Sequence, residues 1–158
     1  MHNITLKPDE ISVCHLIGRN RALIARASGV KDAKVGDHDG SEADVIGFMA
    51  EYAFSKVFNT FVDIGLTPRS CSADGIYKGY RYDVKSTKYK SGRLLCTTKD
   101  NPDVDVYILA LVDEPNVAIV GYATKAQLRQ PQNIINLGHG EGYALTQDQL
   151  RKFKPVTQ

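Results

Sequence analysis

Two aspartates and a lysine stand close together in residues 72–88, which read S-A-D-G-I-Y-K-G-Y-R-Y-D-V-K-S-T-K and contain Asp74, Asp83 and Lys85. Ile76 and Tyr77 precede a turn at Lys78-Gly79, and Tyr80, Tyr82 and Val84 alternate after it, the pattern of a hairpin with a half-buried second strand. Side chains alternate along a strand, so Asp83 and Lys85 share one face while Tyr82, Val84 and Ser86 share the other. The short hairpin brings Asp74, at the start of the first strand, back alongside Asp83. Carboxylates that close repel one another unless a cation holds them together or one takes a proton. They offer hard oxygen ligands to Mg²⁺ or Mn²⁺, and a lysine beside them can orient a water or neutralise charge on a phosphate. Hydrolysis of a phosphodiester is the chemistry such a set performs.

A helix predicted over 42–59, capped by Ser41, positions a third acid. Val45, Ile46, Phe48, Met49, Tyr52, Ala53, Val57 and Phe58 make it apolar around most of its circumference, so it is buried on more than one side. Asp44 and Glu51 share a face of this helix, and Phe48 and Phe58 flank Glu51. A carboxylate in such company is costly unless paired or coordinated, whereas the helix dipole accounts for Asp44 in the first turn. Glu51 is therefore the candidate. The competing reading pairs it with a nearby lysine or arginine.

These pieces resemble the PD-(D/E)xK nucleases, the restriction-endonuclease-like superfamily. Its signature is an acid before a hairpin, then acid-x-Lys on the next strand, often with a Glu on a preceding helix. Asp74, Asp83-Val84-Lys85 and Glu51 within Gly47-x-x-x-Glu51 match that pattern, and the likeness covers residues 42–124. Ala73 stands where the family name has a proline. The resemblance implies a Mg²⁺- or Mn²⁺-dependent deoxyribonuclease. Asp74, Asp83 and the Val84 carbonyl would be metal ligands, Glu51 would complete the shell or hold a metal-bound water, and Lys85 would position the attacking water. It also implies an α/β fold with a restriction-endonuclease-like core: a mixed central sheet of about five strands flanked by helices, in an α-β-β-β-α-β order.

Charge distribution agrees with a polyanionic substrate. The net charge is only +2, but between positions 76 and 99 the bases Lys78, Arg81, Lys85, Lys88, Lys90, Arg93 and Lys99 face one acid, Asp83. Between 36 and 63 the acids Asp37, Asp39, Glu42, Asp44, Glu51 and Asp63 face only Lys56. A basic stretch beside an acidic pocket suits DNA held over a metal site, with Lys78, Arg81, Lys88, Lys90 and Arg93 on the phosphates. The same lysines can instead guard a strand edge against aggregation. Tyr77, Tyr80, Tyr82 and Tyr89 interleave with the basic run, so the alternative function is a non-catalytic nucleic-acid-binding module that stacks bases on tyrosines. An exonuclease or a sequence-specific restriction-type endonuclease is a further alternative to structure-selective or nonspecific cutting. A homodimer would let one small subunit cut both strands.

Other chemistries lack their motifs. There is no G-x-x-x-x-G-K-[ST], no G-x-G-x-x-G opening a helix, no G-x-S-x-G, and no CxxC or HExxH. Cys14, Cys71 and Cys96 lack metal spacing and read as small hydrophobes in a reducing compartment. No apolar run reaches the ~20 residues of a membrane span, and the N-terminus lacks a signal-peptide pattern, so a cytoplasmic protein with no membrane partner is expected. Hydrophobic content of 42% is that of a globule able to bury a core, read as one nuclease domain over 1–158 with 1–40 a helical extension plus loop.

Along the rest of the chain, Pro8, Asp9 and Glu10 start a first helix that stops at Ser28-Gly29. Arg19, Arg21 and Arg26 lie on its outer face, as solvated surface or phosphate contacts, and His15 is a packed or surface histidine. Residues 30–40 read as a loop with His38 at its tip, 61–64 as a short strand, and 65–71 as a loop broken by Pro68. Leu94-Leu95-Cys96 begins a strand, 106–112 is a central strand covered on both faces, and 117–123 returns as its antiparallel neighbour. Thr124 caps a short helix. Residues 130–142 read as a loop containing His139, 143–145 as a last edge strand, and 146–153 as a final short helix.

Overall fold

A computed structural model of the chain describes residues 1–29, 40–66, 72–138 and 140–154. Helix α1, Pro8–Ala27, begins with proline in its first turn, and the Glu10 carboxylate accepts the Lys7 N–H at 2.8 Å. It ends where Gly29 takes φ +75°, a left-handed conformation that suits glycine. Helix α2, Gly40–Phe58, ends similarly: Asn59 has φ +52° and the Thr60 N–H bonds the Ser55 carbonyl, closing a Schellman-type turn. The two helices cross closely at Gly18, where an added Cβ would lie 2.5 Å from Val45 Cα.

Strands β1 (His2–Thr5), β2 (Gly75–Tyr77), β3 (Tyr80–Thr87), β5 (Val106–Asp113) and β6 (Asn116–Thr124) form a mixed five-stranded sheet in the order β1-β6-β5-β3-β2. Only β3 and β5 pair in parallel. Strand β4 (Leu94–Thr97) leaves for a second, antiparallel sheet, β4-β8-β7, with β7 at Ile134–Asn136 and β8 at Glu141–Leu145. Phe48, Met49 and Phe54 of α2 pack on Tyr82, Val84, Ile108 and Ile119, one face of the large sheet. Tyr107, Leu109 and Val120 face the other way, onto Leu94, Leu128 and Leu145. The result is an α/β fold of three layers: helices, mixed sheet, small sheet.

The mixed five-stranded sheet matches the expectation, as do the hairpin, the doubly covered β5, its neighbour β6 and the Thr124 cap, whose Oγ1 accepts the Gln127 N–H of helix α3, Lys125–Leu128. Other elements differ. The parallel crossover from β3 to β5 runs through β4, with no helix between them, so the α-β-β-β-α-β order is not found. Among the described residues, only one face of the sheet carries long helices. Ser41 lies inside the first turn of α2 instead of capping it. Residues 61–64 form no strand, because the Arg21 guanidinium takes the carbonyls of Asp63 and Gly65. The span 130–142 contains a 3₁₀ turn, Pro131–Asn133, and β7. Strand β8 is central in its sheet, not an edge. The last helix shrinks to Gln147–Gln149, after which Arg151 exchanges both backbone hydrogen bonds with Tyr122. The expected loop positions His38, Asp37, Asp39, Pro68, Cys71 and His139 lie outside the described residues. Among the described residues, no helix is long and apolar enough to cross a membrane.

Candidate active site

The hairpin turn at Lys78-Gly79 has φ +51° and +83°, the paired positive values of a two-residue turn whose twist matches its strands. It fixes the register Gly75↔Tyr82. One residue further out, Asp74 donates its N–H to the Tyr82 carbonyl and accepts the Val84 N–H on Oδ2, each at 2.8 Å. Asp74 thus stands at the open edge of β3, where β2 has ended. The N–H and C=O of one strand residue point to the same side, so the Val84 carbonyl also faces that edge.

Asp83 and Lys85 share the opposite face from Tyr82 and Val84, as the alternation requires, and Lys85 Nζ lies 2.6 Å from Asp83 Oδ2. Their side chains are 16% and 39% exposed, so the pair is reachable by solute. Buried Cys96 and Tyr107 lie beneath it. Burial pushes the Tyr107 phenol up to about 12, and the charges of Cys96 and Asp83 add to the shift. Burial also raises the Cys96 thiol, against the lowering effects of Arg129 and Lys85.

Glu51 sits on the helix side of the sheet and is 6% exposed, the one charged residue among those fully buried in the described chain. Arg21 Nη1 reaches its Oε2 at 3.1 Å, while the same guanidinium bonds the Asp63 and Gly65 carbonyls and stacks over the Phe48 ring at 4.8 Å. The competing reading of Glu51, an ion pair, is therefore what the structure contains. Arg21 is therefore not solvated surface, its side chain being only 10% exposed. Its spacing held the signal, since it lies three residues beyond Gly18 and seven beyond Cys14, on the flank of the buried face of α1. Asp44, the rival acid, is half-buried near the start of α2.

Glu51 and Asp74 both act on the Tyr82 hydroxyl, which meets Thr60 Oγ1 at 3.1 Å. Burial chiefly raises the Tyr82 phenol, the Thr60 bond opposes it, and the two acids add to it. The four candidate residues are thus divided around β3: Glu51 on the helix side, Asp74 at the edge, Asp83 and Lys85 on the far side. Among the described residues, no three acidic, histidine or cysteine side chains converge as a metal cage. Of the sequence-suggested donors, Asp74 and the Val84 carbonyl stand at the β3 edge, while Asp83 lies on the adjoining face against Lys85.

The basic residues separate too. Lys85, Lys88 and Arg93 line a cleft of about 630 Å³ together with Ser86, Thr87 and Asn136. Lys88 also reaches Glu42 at 3.5 Å, and the Lys90 carbonyl is held by Gln147 at 2.8 Å. Arg81 belongs elsewhere. Its guanidinium grips Asp105 through Nε at 3.1 Å and Nη2 at 3.0 Å, and its amide bonds the same carboxylate at 2.9 Å. That hydrogen bonding lowers the Asp105 carboxyl to about 2. Lys78 lies at the hairpin tip over the Tyr77 ring. The tyrosines make no open platform, because Tyr82 is buried and Tyr77 half-buried while Tyr80 and Tyr89 are exposed.

Neither a family model, nor a curated protein, nor a solved structure matches the chain.

Proposed function

We propose that the chain is a divalent-cation-dependent deoxyribonuclease of the PD-(D/E)xK kind, built on a restriction-endonuclease-like core. The observation that carries this reading is the arrangement around β3. Asp83 and Lys85 touch one another on one face, and Asp74 lodges on the Val84 amide at the adjoining open edge. Asp74, Asp83 and the Val84 carbonyl would hold Mg²⁺ or Mn²⁺, which supplies Lewis acidity toward a phosphate oxygen and acidifies a bound water. Lys85, held by Asp83 at the wall of the basic cleft, places a positive charge where a pentacovalent phosphate gathers negative charge. Lys88 and Arg93 in the same cleft fix the DNA backbone without reading its sequence. Glu51 acts as a positioning residue: with Arg21 it ties α1, α2 and the segment after α2 together beside Tyr82.

Contacts that grip the backbone without reading bases favour structure-selective or nonspecific cutting. Pairing of two copies would deliver cuts to both strands, and Val13, Leu16 and Leu23 form an exposed apolar stripe on α1 that suits such pairing. A cytoplasmic location fits DNA as substrate. The test is Mn²⁺ titration by calorimetry. Asp74→Asn and Asp83→Asn should each weaken binding at least tenfold and Lys85→Ala should not. Unchanged Mn²⁺ affinity in Asp83→Asn sinks the metal assignment.

A further inference from the structure

At the hairpin end of the sheet, on the face turned toward the helices, lies a second cavity of about 520 Å³. Tyr82 and Ile108, both almost wholly buried, form its floor. Aromatic rings make its walls: Phe58 and Phe153 stand 4.6 Å apart between centroids, Phe153 and Tyr122 4.8 Å, and Phe58 and Tyr77 5.2 Å. Tyr80, 60% exposed, stands at the mouth. Val106, Thr124 and the cations Lys78, Arg151, Lys152 and Lys154 complete the lining, which contains no acid among the described residues. Lys152 is turned away, its Nζ on the Gln147 carbonyl at 2.9 Å, so Lys78, Arg151 and Lys154 supply the charge at the rim.

We infer that this cavity binds a nucleobase, with the attached phosphate on the cationic rim. Half-buried Tyr77, Tyr122 and Phe153 and exposed Tyr80 offer aromatic surface to the cavity, which favours a planar aromatic ligand over a branched aliphatic one. Exposed cations at the mouth add a preference for an anion on the same molecule. The volume falls within the ~300–1,000 Å³ of small-ligand sites, and the lining is apolar with a few charged groups, as such sites are. The assignment rests on the cavity and does not depend on the nuclease reading, but it extends it. Tyr82 in the floor directly precedes Asp83, whose side chain lies with Lys85 on the opposite face of the sheet, so a strand seated here would pass round the β3 edge to reach them. The base can come from a free mononucleotide or from an unpaired nucleotide of a strand.

Binding measured in EDTA separates this from cleavage. The probes are dAMP and fluorescent duplexes carrying a single-stranded overhang with bases or the same overhang made abasic. Wild type should hold the base-bearing overhang about ten times more tightly than the abasic one. Tyr80→Ala should erase that preference, and Arg151→Glu should weaken binding of every probe; both side chains are exposed, and thermal unfolding checks the fold. Saturable dAMP binding lost in both variants identifies a free nucleotide as ligand, and preference confined to the overhang identifies a strand. Equal affinity for base-bearing and abasic overhangs without dAMP binding overturns the inference, as do variants that bind like wild type. A protein that shows the base preference but never cuts DNA in Mg²⁺ retains this site and loses only the nuclease assignment.

Discussion

Removing Arg21 tests how the helix layer is fastened to the site. The Arg21–Glu51 pair is 3.1 Å long, with side chains only 10% and 7% exposed. Arg21→Ala leaves the Glu51 charge buried without this partner, strips two carbonyls of their donor and removes the guanidinium from Phe48. Breaking a buried pair from one side costs about 3–5 kcal/mol, a large part of the roughly 5–15 kcal/mol that stabilises a domain. Glu51→Gln keeps the shape and leaves Arg21 its two carbonyl bonds, so it should cost less, about 1–3 kcal/mol. Arg21→Met combined with Glu51→Leu removes both charges at similar volume and should recover much of the loss. Urea unfolding followed by far-UV circular dichroism, with the double-mutant cycle, gives these values. The cost should be the same with EDTA as with Mg²⁺, since it arises in the fold. A loss below about 1 kcal/mol in Arg21→Ala refutes the reasoning.

Two further outcomes follow from named contacts. Asp105 has a carboxyl lowered to about 2 by Arg81, so its contribution to stability is present above the ordinary value of ~3.9 and is lost as pH falls through about 2. In Arg81→Ala, carboxyl NMR should show its pKa rising part of the way toward ~3.9, because the backbone N–H bond at 2.9 Å survives; a value still near 2 contradicts the assigned cause. Gly18→Ala places a Cβ 2.5 Å from Val45 Cα, and neither helix backbone can yield locally. The helices must part, at a cost that outweighs the ~1 kcal/mol gain in helix propensity, for a net loss of about 2 kcal/mol. A denaturation midpoint equal to or above wild type would show that the crossing has room to spare.

Local patterns that settle within one element were legible in the sequence. The two-residue turn fixes the hairpin, alternation puts Asp83 and Lys85 on one face, and the unbroken run at β5 demands cover on both sides. Elements defined by distant partners were not. Strand β1 exists because residues 2–5 find β6, with Thr5 opposite Asn116, and no short-range signal marks it. The segment 61–64 has strand-like composition, yet the carbonyls of Asp63 and of Gly65 just beyond it are claimed by an arginine some forty residues earlier. At the site, periodicity could place each acid on its own element but not the elements on one another. Alpha2 packs on the Tyr82 and Val84 face, which sets Glu51 across β3 from Asp83. Likewise the basic run looked continuous, but Arg81 has an acid waiting in the turn before β5 and lies outside the cleft that gathers Lys85, Lys88 and Arg93.

The most direct measurement is cleavage by wild type and Lys85→Ala, each with Mg²⁺, Mn²⁺ or EDTA. The substrates are linear duplex, circular duplex, single-stranded and branched DNA, and RNA. Lys85→Ala should keep the fold, since the Lys85 side chain is 39% exposed and packs into neither hydrophobic core, and thermal unfolding checks this. The account predicts cutting of DNA by wild type that stops in EDTA and falls about 10²–10³-fold or more in Lys85→Ala. Cutting of circles would mark an endonuclease, and digestion of ends alone an exonuclease. Cleavage by Lys85→Ala at the wild-type rate, or no cleavage of any substrate by wild type, would contradict it.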